Sequence, residues 1–233
     1  QPHTVRGVGE VRTCAECHRS PASLGFGSGL FTVARDTIYT VGAGGIGLFD
    51  RHADPDLPVP DGSVPVSGSP LAVTSKPSVV EGTVDYLYVA QGLDGVEIFD
   101  RTSESPDEVV HTVEGVDAID VARVSRYLYV VDAGVGVRIY DNNNPESTTL
   151  VATVSIPNAT RVIPWGIYLF VPAQNDGLAI VNIADHNSPF VTANVSNIVA
   201  KDVFVFSHYQ IGNDFAVRAY VADSSAGVHV IDL

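Results

Sequence analysis

The stretch LYVVDAGVGVRIYD, residues 128–141, holds two runs rich in Val, Ile and Tyr on either side of a short polar segment with two glycines. Such runs favour extended backbone, and Gly supplies the unusual dihedral that a tight turn or its bulge needs. The stretch therefore reads as a β-hairpin.

It has four relatives in the chain: IYTVGAGGIGLFD (38–50), LYVAQGLDGVEIFD (87–100), LFVPAQNDGLAIVN (169–182) and AYVADSSAGVHVID (219–232). Each carries an aromatic in its first run (Tyr39, Tyr88, Tyr129, Phe170, Tyr220) and a later glycine (Gly45, Gly95, Gly136, Gly177, Gly227). Each closes on an acid or amide, namely Asp50, Asp100, Asp141, Asn182 and Asp232, spaced 50, 41, 41 and 50 residues apart. Further β-type runs precede the hairpins, as in AIDVARV (118–124) and DVFVF (202–206). Others follow them, as in VVHTV (109–113), LVATV (150–154) and FVTANV (190–195). Four short strands per 40–50 residues predict an all-β fold, a small β-propeller of five blades over residues 30–233. A β-helix or other solenoid also repeats, but two hairpin strands in each long period count against it. The repeat, with its YVAD…G…I.D core, resembles the LVIVD-type propeller repeat over about residues 30–233.

The last repeat ends at Leu233, one strand short. An open sheet edge invites pairing, and VRGVGEV (5–11) is the obvious supplier of the missing strand. It either closes its own ring or inserts into a neighbour by strand addition.

Residues 1–29 form a separate N-terminal segment in this reading, with GFGSG (25–29) as a flexible joint or a tight inter-blade loop. Within it, TCAECH (13–18) contains the only two cysteines of the chain, Cys14 and Cys17, followed by His18. Cys-x-x-Cys-His attaches c-type haem: two thiols add to the vinyl groups and the adjacent imidazole ligates iron. With two cysteines and seven histidines, chance produces this arrangement on the order of once in several thousand. A thioredoxin-like site wants a βαβ setting, structural zinc wants four ligands, and a disulfide over so short a loop stabilises little. One covalent haem c is therefore expected, with His18 as proximal ligand. The all-helical cytochrome pattern is absent, so the resemblance to cytochromes c rests on Cys14, Cys17 and His18 alone.

The chain has no Met, so the His/Met pairing that raises potential is excluded. A second axial histidine would come from His3, His52, His111, His186, His208 or His229. Two are favoured. Pairing of residues 5–11 antiparallel to GVHVID (227–232) brings Cys14 beside His229. His3, if residues 3–13 are extended, lies about 33 Å from the motif and reaches a neighbour's haem in trans. In a compact arm it would serve its own haem. His52 and His186 follow blade-closing residues and are expected at the opposite rim.

The net charge of −14 argues against nucleic acid and anionic membrane surfaces, and no apolar run reaches the ~18 residues of a spanning helix. The missing Met and Gln1 at the start suggest a processed, exported chain, extracellular or periplasmic. The sequons at Asn158 and Asn194 are compatible with that. Asp54, Asp56 and Asp61 read as a solvated acidic, Pro-rich loop rather than a calcium loop. Asp117, Asp120 and Asp202 read as turn and capping groups, and Trp165 as core.

The expected function is extracytoplasmic electron transfer to redox partner proteins, with self-association into a filament through the N-terminal strand or His3 as one form of it. Two other readings stay open: a haem enzyme with an open axial site for peroxide or a nitrogen oxide, and a surface adhesion or structural protein stapled by haem.

Overall fold

A computed structural model describes residues 31–34, 37–42, 45–50, 59–76, 86–101, 108–209 and 215–233. The segment 1–29, with the Cys-x-x-Cys-His motif and the run 5–11 expected as a strand, lies outside the described residues, as do His52, Asp54 and Asp56.

The described residues contain nineteen strands and no helix, arranged as five small antiparallel sheets. The five hairpins of the repeat are β2–β3 (Thr37–Gly42, Gly45–Asp50), β6–β7 (Tyr86–Ala90, Val96–Asp100), β10–β11 (Tyr127–Asp132, Gly136–Asp141), β14–β15 (Tyr168–Pro172, Leu178–Asn182) and β18–β19 (Phe215–Asp223, Gly227–Asp232). Each is preceded by a first strand: β1 (Phe31–Ala34), β5 (Ala72–Lys76), β9 (Ala118–Val124), β13 (Ile163–Trp165) and β17 (Ala200–Tyr209). Four are followed by a fourth: β4 (Val59–Val64), β8 (Glu108–Val113), β12 (Thr149–Ser155) and β16 (Phe190–Val195). Among the described residues the fifth sheet has three strands.

Consecutive strands pair in order within every sheet, and the fourth strand joins the third with the same irregularity each time. The register shifts between Leu48 and Phe49, Ile98 and Phe99, Ile139 and Tyr140, and Ile180 and Val181. A bulge at a fixed place bends the outer strand in the same way in each unit. β4 corrects the reading of the Pro-rich stretch as a loop, because VPDGSV is a strand with Asp61 exposed on it. Pro60 is tolerated there because an outermost strand does not need every N–H.

Both faces of the inner strands are apolar, so the sheets stack face to face, and a separate core fills each of four junctions. Ile46 and Leu48 of the first sheet meet Leu87, Val89 and Phe99 of the second. Leu178 and Phe170 of the fourth meet Val203, Val205 and Val221 of the fifth. Burying one such Leu or Phe contributes about 1.5–3 kcal/mol. The Tyr88 hydroxyl donates to Asn142 Oδ1 at 2.6 Å across the second junction, and burial pushes that phenol up to about 12.

Candidate functional site

Strand direction sorts the loops into two rims. The glycine turns of the hairpins share one rim with the crossings from each fourth strand to the next sheet. The other rim carries the turns between first and second strands and the loops after the third.

On the glycine rim the crossings are clipped by backbone. Gly92 and Ala118 exchange two N–H···O bonds of 2.8 Å, and Gln174 and Ala200 exchange two of 3.0 Å. Side chains add a second device at a fixed place in the repeat, four residues before the glycine. There Gln91, Asp132 and Asp223 accept the backbone N–H of Gly68, Asp117 and Val199, at 2.6, 2.9 and 3.3 Å. The residue two after the glycine then supports the acceptor: Arg138 Nε donates to Asp132 at 2.5 Å, and His229 Nε2 lies 2.8 Å from Asp223 Oδ2.

His229 therefore occupies in the fifth sheet the position that Arg138 holds in the third. Its ring is 40% exposed and its Nε2 is engaged by a buried carboxylate. Asp223 also accepts the hydroxyl and the N–H of Ser225, both at 2.7 Å, and these bonds, with His229, hold its carboxyl well below the usual range. Sequence reasoning singled out His229 and missed Asp223, although the residue four before the glycine repeats in the alignment.

The junction between the third and fourth sheets carries a second charged group. Asp120, on β9, is 2% exposed and accepts the Val162 N–H at 2.9 Å. Arg161 lies 3.8 Å from it and donates to Asp202 at 2.6 Å. Burial raises the Asp120 carboxyl to about 6, against the pull of Arg161. Asp120 and Asp202 thus tie adjacent sheets together, in line with their reading as structural groups, while Asp117 enters the crossing through its backbone N–H, which donates to Asp132.

The other histidines separate by position. His111 is on the outer strand β8 and shares a 2.9 Å hydrogen bond with Thr148. His186 sits on the rim opposite the glycines, stacked on Tyr127 at 3.6 Å and bonded to the Tyr129 hydroxyl at 2.9 Å. Desolvation lowers its pKa. His208 lies on β17, while His3, Cys14, Cys17, His18 and His52 fall outside the described residues. Among the described residues no group of three or more His, Cys, Asp or Glu is placed to hold a metal ion.

Trp165 departs from expectation. It ends the three-residue strand β13, is 37% exposed, and with Ile167, Phe170, Val217 and Leu233 lines an apolar cleft of about 570 Å³ between the fourth and fifth sheets. The stretch IPWGIYLF contains a turn at Gly166 (φ 59°), so its apolar residues do not form one buried strand. Among the described residues no helix is long and apolar enough to cross a membrane.

No family model matches the chain, and no curated protein matches it. Among solved structures it resembles the BamB protein of Moraxella catarrhalis at 17% identity and a TM-score of 0.52, over 84% of this chain and 54% of that one. The computationally designed Ika8 protein aligns at 9% identity and a TM-score of 0.47, over 87% of this chain and 70% of that one. The chain thus spans about half the length of BamB. BamB is a β-propeller, and that fold is what the likeness establishes for this chain.

Proposed function

We propose that this chain is a monohaem c-type cytochrome that carries electrons between proteins outside the cytoplasm, on a propeller of five LVIVD-like blades. The observation that carries the reading is Cys14-Ala15-Glu16-Cys17-His18, which uses both cysteines of the chain. Cys14 and Cys17 would hold the porphyrin by thioether bonds, and His18 would ligate the iron. When bound, the haem supplies one-electron chemistry.

For the second axial position His229 has a supporting shell. A metal-ligating histidine commonly gives its other ring N–H to a carboxylate, and Asp223 takes that role at Nε2, leaving Nδ1 for iron. His3 is the other candidate. A histidine on each side leaves no open coordination site, which favours electron transfer over chemistry on a substrate. The acidic chain suits docking of basic redox proteins.

The test is a visible spectrum and a mass of the purified chain. A Soret band, and a mass raised by one haem that Cys14→Ser with Cys17→Ser abolishes, support the reading. A chain of bare polypeptide mass without Soret absorption overturns it. A low-spin spectrum indifferent to carbon monoxide supports transfer, whereas a carbon monoxide adduct points instead to an open iron and an enzyme.

A further inference from the structure

Away from the haem motif, two Asn-x-Ser/Thr tripeptides meet in space. Asn158-Ala159-Thr160 lies in the crossing from β12 to β13, and Asn194-Val195-Ser196 spans the end of β16. Of the ten asparagines in the chain, these two alone have Ser or Thr two residues on. The hairpin β14–β15 separates them along the chain.

The fold brings both side chains to one residue. Asp176 stands in the glycine turn between β14 and β15, on the rim where the crossings run. Asn158 Nδ2 donates to its carboxylate Oδ2 at 2.7 Å, and Asn194 Nδ2 donates to its carbonyl oxygen at 3.1 Å. Both partners are acceptors, so the contacts fix which end of each amide faces Asp176. All three residues are exposed.

Local structure turns the two asparagines outward by the same device, an inward middle residue. Along β16 alternation sends Asn194 and Val195 to opposite sides, and Val195 packs against the core between the fourth and fifth sheets. Asn194 and Ser196 are both exposed. In the crossing Ala159 is 4% exposed, and its N–H closes a turn on the Ile156 carbonyl at 2.9 Å. Thr160 is held beside it by Pro172, whose carbonyl accepts the Thr160 N–H at 2.9 Å and the hydroxyl at 3.2 Å.

We propose that Asn158 and Asn194 are a pair of N-glycosylation sites rooted on one turn. A tripeptide of this kind is common by chance; that two of them share one residue is a property of the fold. The chemistry suits these amides. A primary amide carries two hydrogens, and each amide here gives one to Asp176. Attachment of a sugar replaces the other, so the modified side chain keeps its bond to Asp176 and the linkage is held at the rim.

In the transfer, the amide nitrogen bonds to C1 of a sugar carried on a lipid-linked diphosphate. The bond from C1 to the diphosphate oxygen breaks, the lipid diphosphate leaves, and the displaced amide hydrogen departs as a proton. Glycans are bulky and hydrophilic, which requires a surface position. Two of them rooted at Asp176 cover the glycine rim around the fourth sheet and leave the opposite rim, with Trp165, free. Such modification presupposes the extracytoplasmic placement proposed above, because this acceptor pattern is used on exported chains.

The test is mass mapping of the chain purified from the cells that make it, with fragmentation that keeps a modification on its residue. Sugar mass is expected on both Asn158 and Asn194. Thr160→Val should remove it from Asn158 alone, and Ser196→Ala from Asn194 alone. Should Thr160→Val unfold, Asn158→Gln takes its place. Bare peptide mass at either asparagine of the wild type overturns the inference, as does sugar that persists in these variants. The same sample reports the haem. A chain with haem and bare asparagines overturns the glycosylation and leaves the cytochrome reading standing, whereas a chain with sugar and no haem does the reverse.

Discussion

The fourth and fifth sheets are built on one repeat and fare differently. Leu178 and Val228 stand at equivalent places, one residue after the hairpin glycine, yet one is sealed and the other is two-thirds exposed. The local sequence is not the cause, since both hairpins pair in the same register. What differs is the neighbour: among the described residues Val203, Val205 and Val221 of the fifth sheet close over Leu178, and none closes over Val228. A blade gains its stability from the sheet packed on it.

The largest expected effect tests that contrast directly. Leu178→Ala should cost about 2–5 kcal/mol by loss of transfer energy and creation of a cavity, whereas Val228→Ala in dilute protein should stay within about 0.5 kcal/mol. Urea denaturation of the two variants measures both, and equal losses would break the comparison.

The glycines sharpen it. Gly177→Ala sets a methyl against the Val195 carbonyl as well as straining a positive φ, and should cost about 3 kcal/mol. Gly227→Ala, with no described atom within 4 Å of its Cβ position, meets only the strain, about 1–2 kcal/mol. Chemical denaturation of the two variants measures the gap, and equal costs would show that Gly227 is as tightly covered as Gly177.

Acid sensitivity separates the buried Asp120 junction from the Asp223 clip by sign. Asp120 has its folded pKa raised to about 6, so its contribution to stability is present below about pH 4 and is lost as pH rises through 6. Asp120→Asn should therefore gain on the wild type by roughly 2–3 kcal/mol between pH 4 and 7. Asp223 is depressed instead: its contribution is present above the unfolded range and is lost as pH falls through its low folded pKa. Asp223→Asn should lose on the wild type at neutral pH and converge with it in acid. Melting temperatures across pH 2–7 that show one slope for both variants would refute the assignment.

The smallest effect concerns His229. Because its contact with Asp223 is partly exposed, His229→Ala should cost less than about 1 kcal/mol. A far larger change in the visible spectrum than in stability would mark it as an iron ligand. A change in neither would leave His3 as the candidate.

Much of the fold was legible because a hairpin is a local object. Val, Ile and Tyr on both sides of a glycine turn dictate two paired strands, and five copies dictate five such units. Trp165 was misread because hydrophobicity marks a residue as able to be buried, not as covered; a turn at Gly166 carries it to the rim beside a cleft. The Pro-rich stretch hid β4, because Pro60 is admissible only on an outer edge that the sequence does not announce.

By itself the sequence determined the all-β repeat, its hairpins and the Cys-x-x-Cys-His motif, each a matter of neighbours along the chain. Only the tertiary structure decided which face of each sheet is sealed, that Asp223 holds His229, and that Asp120 is buried beside Arg161. Alternation along a strand assigns side chains to two faces, but what lies against each face depends on segments about 40 residues away.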